Sequence, residues 1–244
     1  MSKRIRFFIG HLLISFFIAL NVIGIIFFIW YPDPIAQAVG VTNILLMLLF
    51  IDVIIGPFLG LLVYKENKKT LKMDLSVIIL LQLSALGYGV YTIEKARPIW
   101  IAYYVDQFQL IKKNELFLEN IHHALPEYQH IPWLKPQFVG VEFAKDKQTR
   151  GDDMLADVLG GISIARRPER YVALNTVKKQ IQQHSQSLAL LNQFNEKTLV
   201  KNTLAKYPEA TAFVPLKANA VDMTVLINKE KSEVVKIVDL RPWK

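Results

Sequence analysis

Three long apolar runs fill most of the first hundred positions, and the rest of the chain mixes polar and apolar residues in shorter units. The first run, Phe7 to Trp30, holds 24 residues. As a helix it would be about 36 Å long, enough to cross a hydrocarbon core of about 30 Å with some tilt. Ile44 to Tyr64 and Leu75 to Ile93 are each close to the length needed to span. Lys3, Arg4 and Arg6 ahead of the first run, with Ala36-Gln37-Ala38 after it, also resemble a signal peptide. That run is too long for a cleaved h-region and further spans follow it, so the pattern predicts an uncleaved anchor.

From position 98 the pattern changes. Ile99 to Val105 and Phe108 to Ile111 predict strands, Asn114 to Leu125 a helix, Phe138 to Phe143 a strand, and Asp152 to Leu159 a short helix stopped by Gly160-Gly161. Val177, Ile181, Leu188, Leu191 and Phe194 fall on one face of a predicted helix over 175–194, and Thr198 to Lys206 adds a turn or two. Thr211 to Leu216, Asp222 to Ile227 and Glu233 to Leu240 read as strands, the last two as a hairpin. The expected architecture is a membrane α-helical bundle of three transmembrane helices, residues 1–97, plus an α+β extracytoplasmic domain with an antiparallel sheet, residues 98–244.

Charge sets the expected orientation. Residues 1–97 carry 14 of the 50 charged side chains. Lys65, Lys68, Lys69 and Lys72 crowd the second connection, whereas the first, 31–43, has no Lys or Arg. The positive-inside rule then puts the N-terminus and the lysine loop in the cytoplasm and residues 98–244 outside; Lys95 and Arg97 at the third exit are outnumbered. The net charge of +8 is divided between these topogenic runs and a scattered excess in the second half, a pattern that does not suggest nucleic acid. Cysteine is absent, which excludes disulfides and thiolate chemistry.

Polar groups inside the apolar runs are the candidate functional residues, because a carboxylate in hydrocarbon costs several kcal/mol on most scales unless protonated or paired. Counted from the cytoplasmic ends, Asp52 lies about 18 Å deep, Asn21 about 21 Å and Tyr88 about 20 Å. The three form an expected polar layer. Asp52 either locks the bundle through Asn21 and Tyr88 or faces outward to receive a partner's helix. Gly56 with Gly60, and Ala85 with Gly89, have the small-xxx-small spacing that lets helices approach. These faces suit either the bundle's own packing or a guest helix. Pro57 frees the carbonyl of Val53, with Gln82 a candidate donor to it.

The second half carries no catalytic signature. His122-His123, His130 and His184 lack metal-ligand spacing, Asp152, Asp153 and Asp157 lack the loop of a calcium site, and Arg166, Arg167 and Arg170 form its densest basic spot. Asp153 and Asp157 read as a solvated helix face and the arginines as an exposed cluster. No enzyme, cofactor or metal is expected.

Several segments together resemble the type IV pilin accessory proteins of the TfpX/TfpZ group. They are Trp30-Tyr31-Pro32-x-Pro34, Asp52-x-x-x-Gly56-Pro57, Lys69-x-x-x-x-Asp74-Leu75, Gln82-Leu83-x-Ala85-Leu86-x-Tyr88-Gly89 and Ala96-Arg97-Pro98. Near the end, Val214-Pro215-Leu216, Asp222 and Leu240-Arg241-Pro242-Trp243 agree with that group. The resemblance implies an inner-membrane protein of Gram-negative bacteria that assists the assembly or dynamics of type IV pili. Its implied partners are the cognate pilin, other inner-membrane pilus assembly components and the lipid bilayer. Pilins of this kind present one long apolar helix and a polar head. The expectation is that Asp52, Gly56, Gly60, Ala85 and Gly89 meet the pilin helix while the outer domain meets its head. The alternative is a membrane-anchored periplasmic sensor or scaffold that binds a small ligand or envelope component.

Overall fold

A computed structural model describes residues 1–159 and 161–243. The chain divides into two compact units, 1–36 with 40–96, and 37–39 with 97–244.

The first unit is built on three helices long and apolar enough to cross a membrane: α1, Lys3–Trp30, α3, Val41–Val63, and α4, Leu71–Lys95. The short helix α2, Ile35–Val39, lies between the first two. Two of the long helices contain π-helical turns, Ile25–Trp30 in α1 and Ile51–Ile55 in α3. The second has a cause in the sequence. Pro57 has no N–H and its ring crowds the carbonyl four residues back, so the ladder before it slips by one residue and Gly56 N–H donates to Ile51 O. Helix α3 packs against both α1 and α4. Tyr31, fully buried, ties the end of the bundle by donating to Ile93 O at 2.8 Å. At the other end, Arg4 Nε donates to Leu61 O at 2.7 Å, and Lys68 pairs with Asp74 at 2.6 Å.

In the second unit, strands β1, Pro98–Tyr104, and β2, Gln107–Lys112, form a hairpin. Then follow β3, Gln137–Val141, helix α5, Lys147–Val158, the two-residue β4, Tyr171–Val172, helices α6, Lys178–His184, and α7, Lys197–Leu204, and strands β5, Ala212–Lys217, β6, Met223–Asn228, and β7, Glu233–Val238. The strands form one seven-stranded sheet in the order β4-β3-β1-β2-β5-β6-β7. It is mixed, not antiparallel as expected, because the first hairpin sits in the middle. The neighbours on its two sides, β3 and β5, both run parallel to the strands they join. One core cluster, with Trp100, Tyr128 and Tyr171 edge to face, lies against the β4-β3-β1-β2 half. A second, around Leu191, Phe213 and Leu240, belongs to the β5-β6-β7 half.

Two expected helices are absent as such. Over Asn114 to Leu125 there are only single 3-10 turns, Lys113–Glu115 and Ile121–His123, because Phe117 N–H leaves the helical path to donate to Arg166 O at 2.9 Å. The helix expected over 175–194 is broken after α6. Gln186 exchanges both backbone hydrogen bonds with Phe213, and Ser187 caps a separate 3-10 helix, Leu188–Gln193. Val177, Ile181 and Leu191 are nevertheless all buried, so their common apolar role survives the break. Of the expected stop at Gly160-Gly161, Gly160 lies outside the described residues, and Gly161 has φ +65°.

Candidate functional site

Helices α1 and α4 lean on α3 without closing over it. The gap between them is a groove of about 420 Å³ running from Arg6 to Ile18 along α1. Its walls are mostly apolar, Phe7, Ile14 and Ile18 from α1 and Ile79 and Leu83 from α4, and its floor is polar: His11, Ser15, Asp52 and Gln82. Gly10 opens one wall, since a Cβ there would meet nothing within 4 Å.

Gln82 organises the floor. Its Nε2 donates to Asp52 O at 2.6 Å and to Ser15 Oγ at 3.0 Å, and its Oε1 faces His11 Nε2 at 3.1 Å. The bond to Asp52 O follows from the π turn. In the slipped ladder the donor to that carbonyl would be residue 57, which is proline. Gln82 supplies the missing N–H to Asp52 O, one residue before the Val53 carbonyl that an unbroken α-helix would have orphaned. Because both Gln82 amide protons are used, His11 Nε2–H donates to the amide oxygen. That leaves His11 Nδ1, a buried atom, without a hydrogen-bond partner. The Asp52 residue is 4% exposed and shares the groove floor with His11, Ser15 and Gln82.

The expected polar layer is therefore corrected. Asp52 belongs to it, but Asn21 turns outward and donates to Phe17 O of its own helix at 2.8 Å. Tyr88 is 73% exposed on the outer surface of α4. Depth alone placed these two level with Asp52. Asn21 is six residues from Ser15, and Tyr88 six from Gln82, a rotation of roughly 240° at about 100° per residue. His11 and Ser15, at i and i+4, share the inner face.

The small residues also separate by face. A Cβ on Gly56 would lie 2.2 Å from Gln82 Oε1, on Gly60 3.1 Å from Phe7, and on Gly89 2.6 Å from Leu48. All three contacts are inside the bundle, so these glycines admit its own side chains. Ala85 is exposed.

In the second unit, Asp153 and the arginines correct the expected solvated face and exposed cluster. Asp153 is 2% exposed and takes Arg167 Nη1 at 3.1 Å and Arg170 Nε at 2.6 Å. Asp157 accepts from Tyr104 at 2.7 Å. His184 contacts the Tyr103 hydroxyl at 3.3 Å, and the His122 and His123 rings lie beside each other. Near the end of the chain, the Asp222 carboxylate accepts from Ala218 N–H at 2.8 Å and from Trp243 Nε1 at 2.7 Å, while Arg241 donates to Asp222 O. Residues that carried the resemblance thus touch one another at two places: Asp52, Gly56, Pro57 and Gln82 in the bundle, and Asp222, Arg241 and Trp243 in the domain.

Comparison with known proteins adds a family. The family described as Fimbrial assembly protein FimB matches residues 1–40. A relative named "Fimbrial assembly protein, serogroup E1" from Dichelobacter nodosus is 31% identical over 229 residues, 90% of this chain and 88% of the relative. The serogroup I protein of the same organism is 30% identical over the same shares. The protein of serogroups C1 and C2 is 34% identical over 116 residues, 47% of this chain and 88% of the relative. No solved structure matches. With near one-third identity across nine-tenths of its length, the chain belongs to the fimbrial assembly protein family.

Proposed function

We propose that this protein is an inner-membrane accessory protein of type IV pilus assembly, of the TfpX/TfpZ kind, that holds its cognate pilin before or during incorporation into the fibre. The observation that carries the reading is the groove between α1 and α4, an apolar trough with a polar floor, open along the bundle. Van der Waals fit and a few interhelical hydrogen bonds are what associate helices in lipid, and the groove offers both to a pilin's apolar helix. The fimbrial assembly names of its relatives support the same role. Lysines between α3 and α4 favour a cytoplasmic loop there and a periplasmic second unit, where residues 97–243 would meet the pilin head. Of the residues first assigned to the pilin helix, Asp52 keeps that role at the groove floor, while Gly56, Gly60 and Gly89 support the groove from within. The proposal assigns it no reaction.

Co-purification of the cognate pilin from detergent-solubilised membranes tests the reading. Gly10→Leu puts a side chain into the groove at a position where an added Cβ meets nothing within 4 Å, and Asp52→Leu changes its floor. Both are expected to reduce capture severalfold while the protein's own membrane level holds. Undiminished capture by both variants contradicts it.

A second reading rests on a polar cavity of about 260 Å³ in the second unit, lined in part by Glu115, Asp157, Arg166 and Lys217. It would suit a sensor or scaffold that binds a small envelope component. A deletion strain with normal pilus number and an altered envelope phenotype would favour it.

A further inference from the structure

Arg97 is the second residue after α4, which ends at Lys95, and two residues of chain reach at most about 7 Å. Arg97 itself is 1% exposed. Its Nη2 donates to Pro132 O at 2.6 Å, its Nη1 reaches Leu134 O at 3.5 Å, and its guanidinium lies 5.8 Å from the centre of the Trp133 ring. The 132–134 backbone is thus clamped to a residue only two positions beyond α4, so chain connectivity keeps it near the point where the chain leaves its third apolar span. Yet Trp133 is 65% and Leu134 59% exposed, and exposed Lys135 follows, with Pro132 and Pro136 on either side. Two large apolar side chains in water at the tip of a fixed loop are costly. The same pair at a membrane exit is where tryptophan is enriched, its ring among the headgroups.

We propose that Trp133 and Leu134 form an interfacial anchor, inserted into the headgroup and upper acyl region of the bilayer where α4 emerges, with Lys135 toward anionic lipid phosphates. Arg97 is the positioning residue, since it holds the loop by two carbonyls. The occupant is a lipid surface because chain continuity places the bilayer there. A second exposed apolar group of the unit, Met154, Leu155 and Val158 on α5, is tied through Asp157 to Tyr104, the far end of β1 and about 20 Å further along the strand at roughly 3.3 Å per residue. The anchor would fix the domain at the membrane surface whichever partner it serves.

The chain has no cysteine, so Leu134→Cys carries a single spin label in the full-length protein. Reconstituted in phosphatidylethanolamine and phosphatidylglycerol vesicles, the label is expected to collide with dissolved oxygen several times more often than with a water-soluble nickel chelate. The reverse ratio is expected at Glu230→Cys in the exposed β6–β7 turn. As an independent arm, the fluorescence lost on Trp133→Phe should be the component quenched by lipids with a nitroxide high on the acyl chain. A label at 134 that behaves like the one at 230 overturns the anchor, as does Trp133 emission quenched by aqueous iodide and indifferent to labelled lipid. Pilin capture is not part of the readout, so the anchor and the pilin reading fail separately.

Discussion

Gln82 shows how one side chain can hold several features at once. It supplies the donor that Pro57 removes, joins all three long helices through Ser15 and Asp52, and fixes the His11 tautomer. Replacing it with leucine leaves a carbonyl unpaired in an apolar setting, a loss of about 1–3 kcal/mol. Denaturant titration of the detergent-solubilised protein should show Gln82→Leu less stable by that order, and an unchanged midpoint would contradict the geometry. Asp52 and Gln82 were legible in the sequence as polar residues within apolar runs, and Pro57 as the cause of an orphaned carbonyl. Which carbonyl was not legible, because an α-helical count assumes the ladder that proline had already shifted. Asn21 and Tyr88 failed for a related reason: depth fixes level, and only rotation fixes face. His11 and Ser15 lie within the first apolar run, and only their common partner, Gln82, reveals them. Asp153, Arg167 and Arg170 read as surface charge, since nothing local indicates that opposite charges 14 and 17 residues apart are buried together.

At the scale of elements, strands were more legible than helices. The three C-terminal strands fall close to their expected spans, the last two as the expected hairpin. The helices expected over 114–125 and 175–194 were lost to backbone bonds, one to Arg166 O and a pair with Phe213, made with segments distant in sequence. Helix α5 begins five residues before its expected start because Asp146 caps it. Its carboxylate takes Thr149 N–H at 2.7 Å and Gln148 N–H at 3.2 Å. Thr149, through its side chain and its backbone N–H, and then Gln148 hold the Asp146 carboxyl below its ordinary range. A carboxyl lowered in the folded state stabilises the helix start fully above its unfolded pKa, and that contribution is lost as pH falls through the lowered value. Amide exchange of the first turn of α5, corrected for intrinsic rates, should therefore accelerate on acidification in this range. Asn is also a good N-cap but does not titrate, so Asp146→Asn should flatten the dependence. An acid transition that persists in the asparagine variant would assign it to another group.

For the whole molecule, the two-part plan was legible from where charge and apolar runs lie, while the sheet's mixed order was not. Nothing in β2 or β5 announces that strands a hundred residues apart will run side by side and parallel. The groove has the same origin. No segment encodes it, and it exists because α3 packs closely on both neighbours while α1 and α4 approach each other less, bridged at the floor by Gln82. The pilin reading gathers at this feature, and site-specific photo-cross-linking in cells tests it most directly. A photoreactive residue at Ile14 or Ile79, in the groove walls, should cross-link the cognate pilin, whereas one at Leu46 or Met47, exposed on α3 and outside the groove, should not. Equal yields at both pairs of positions, or pilin captured only from Leu46 and Met47, would contradict the account.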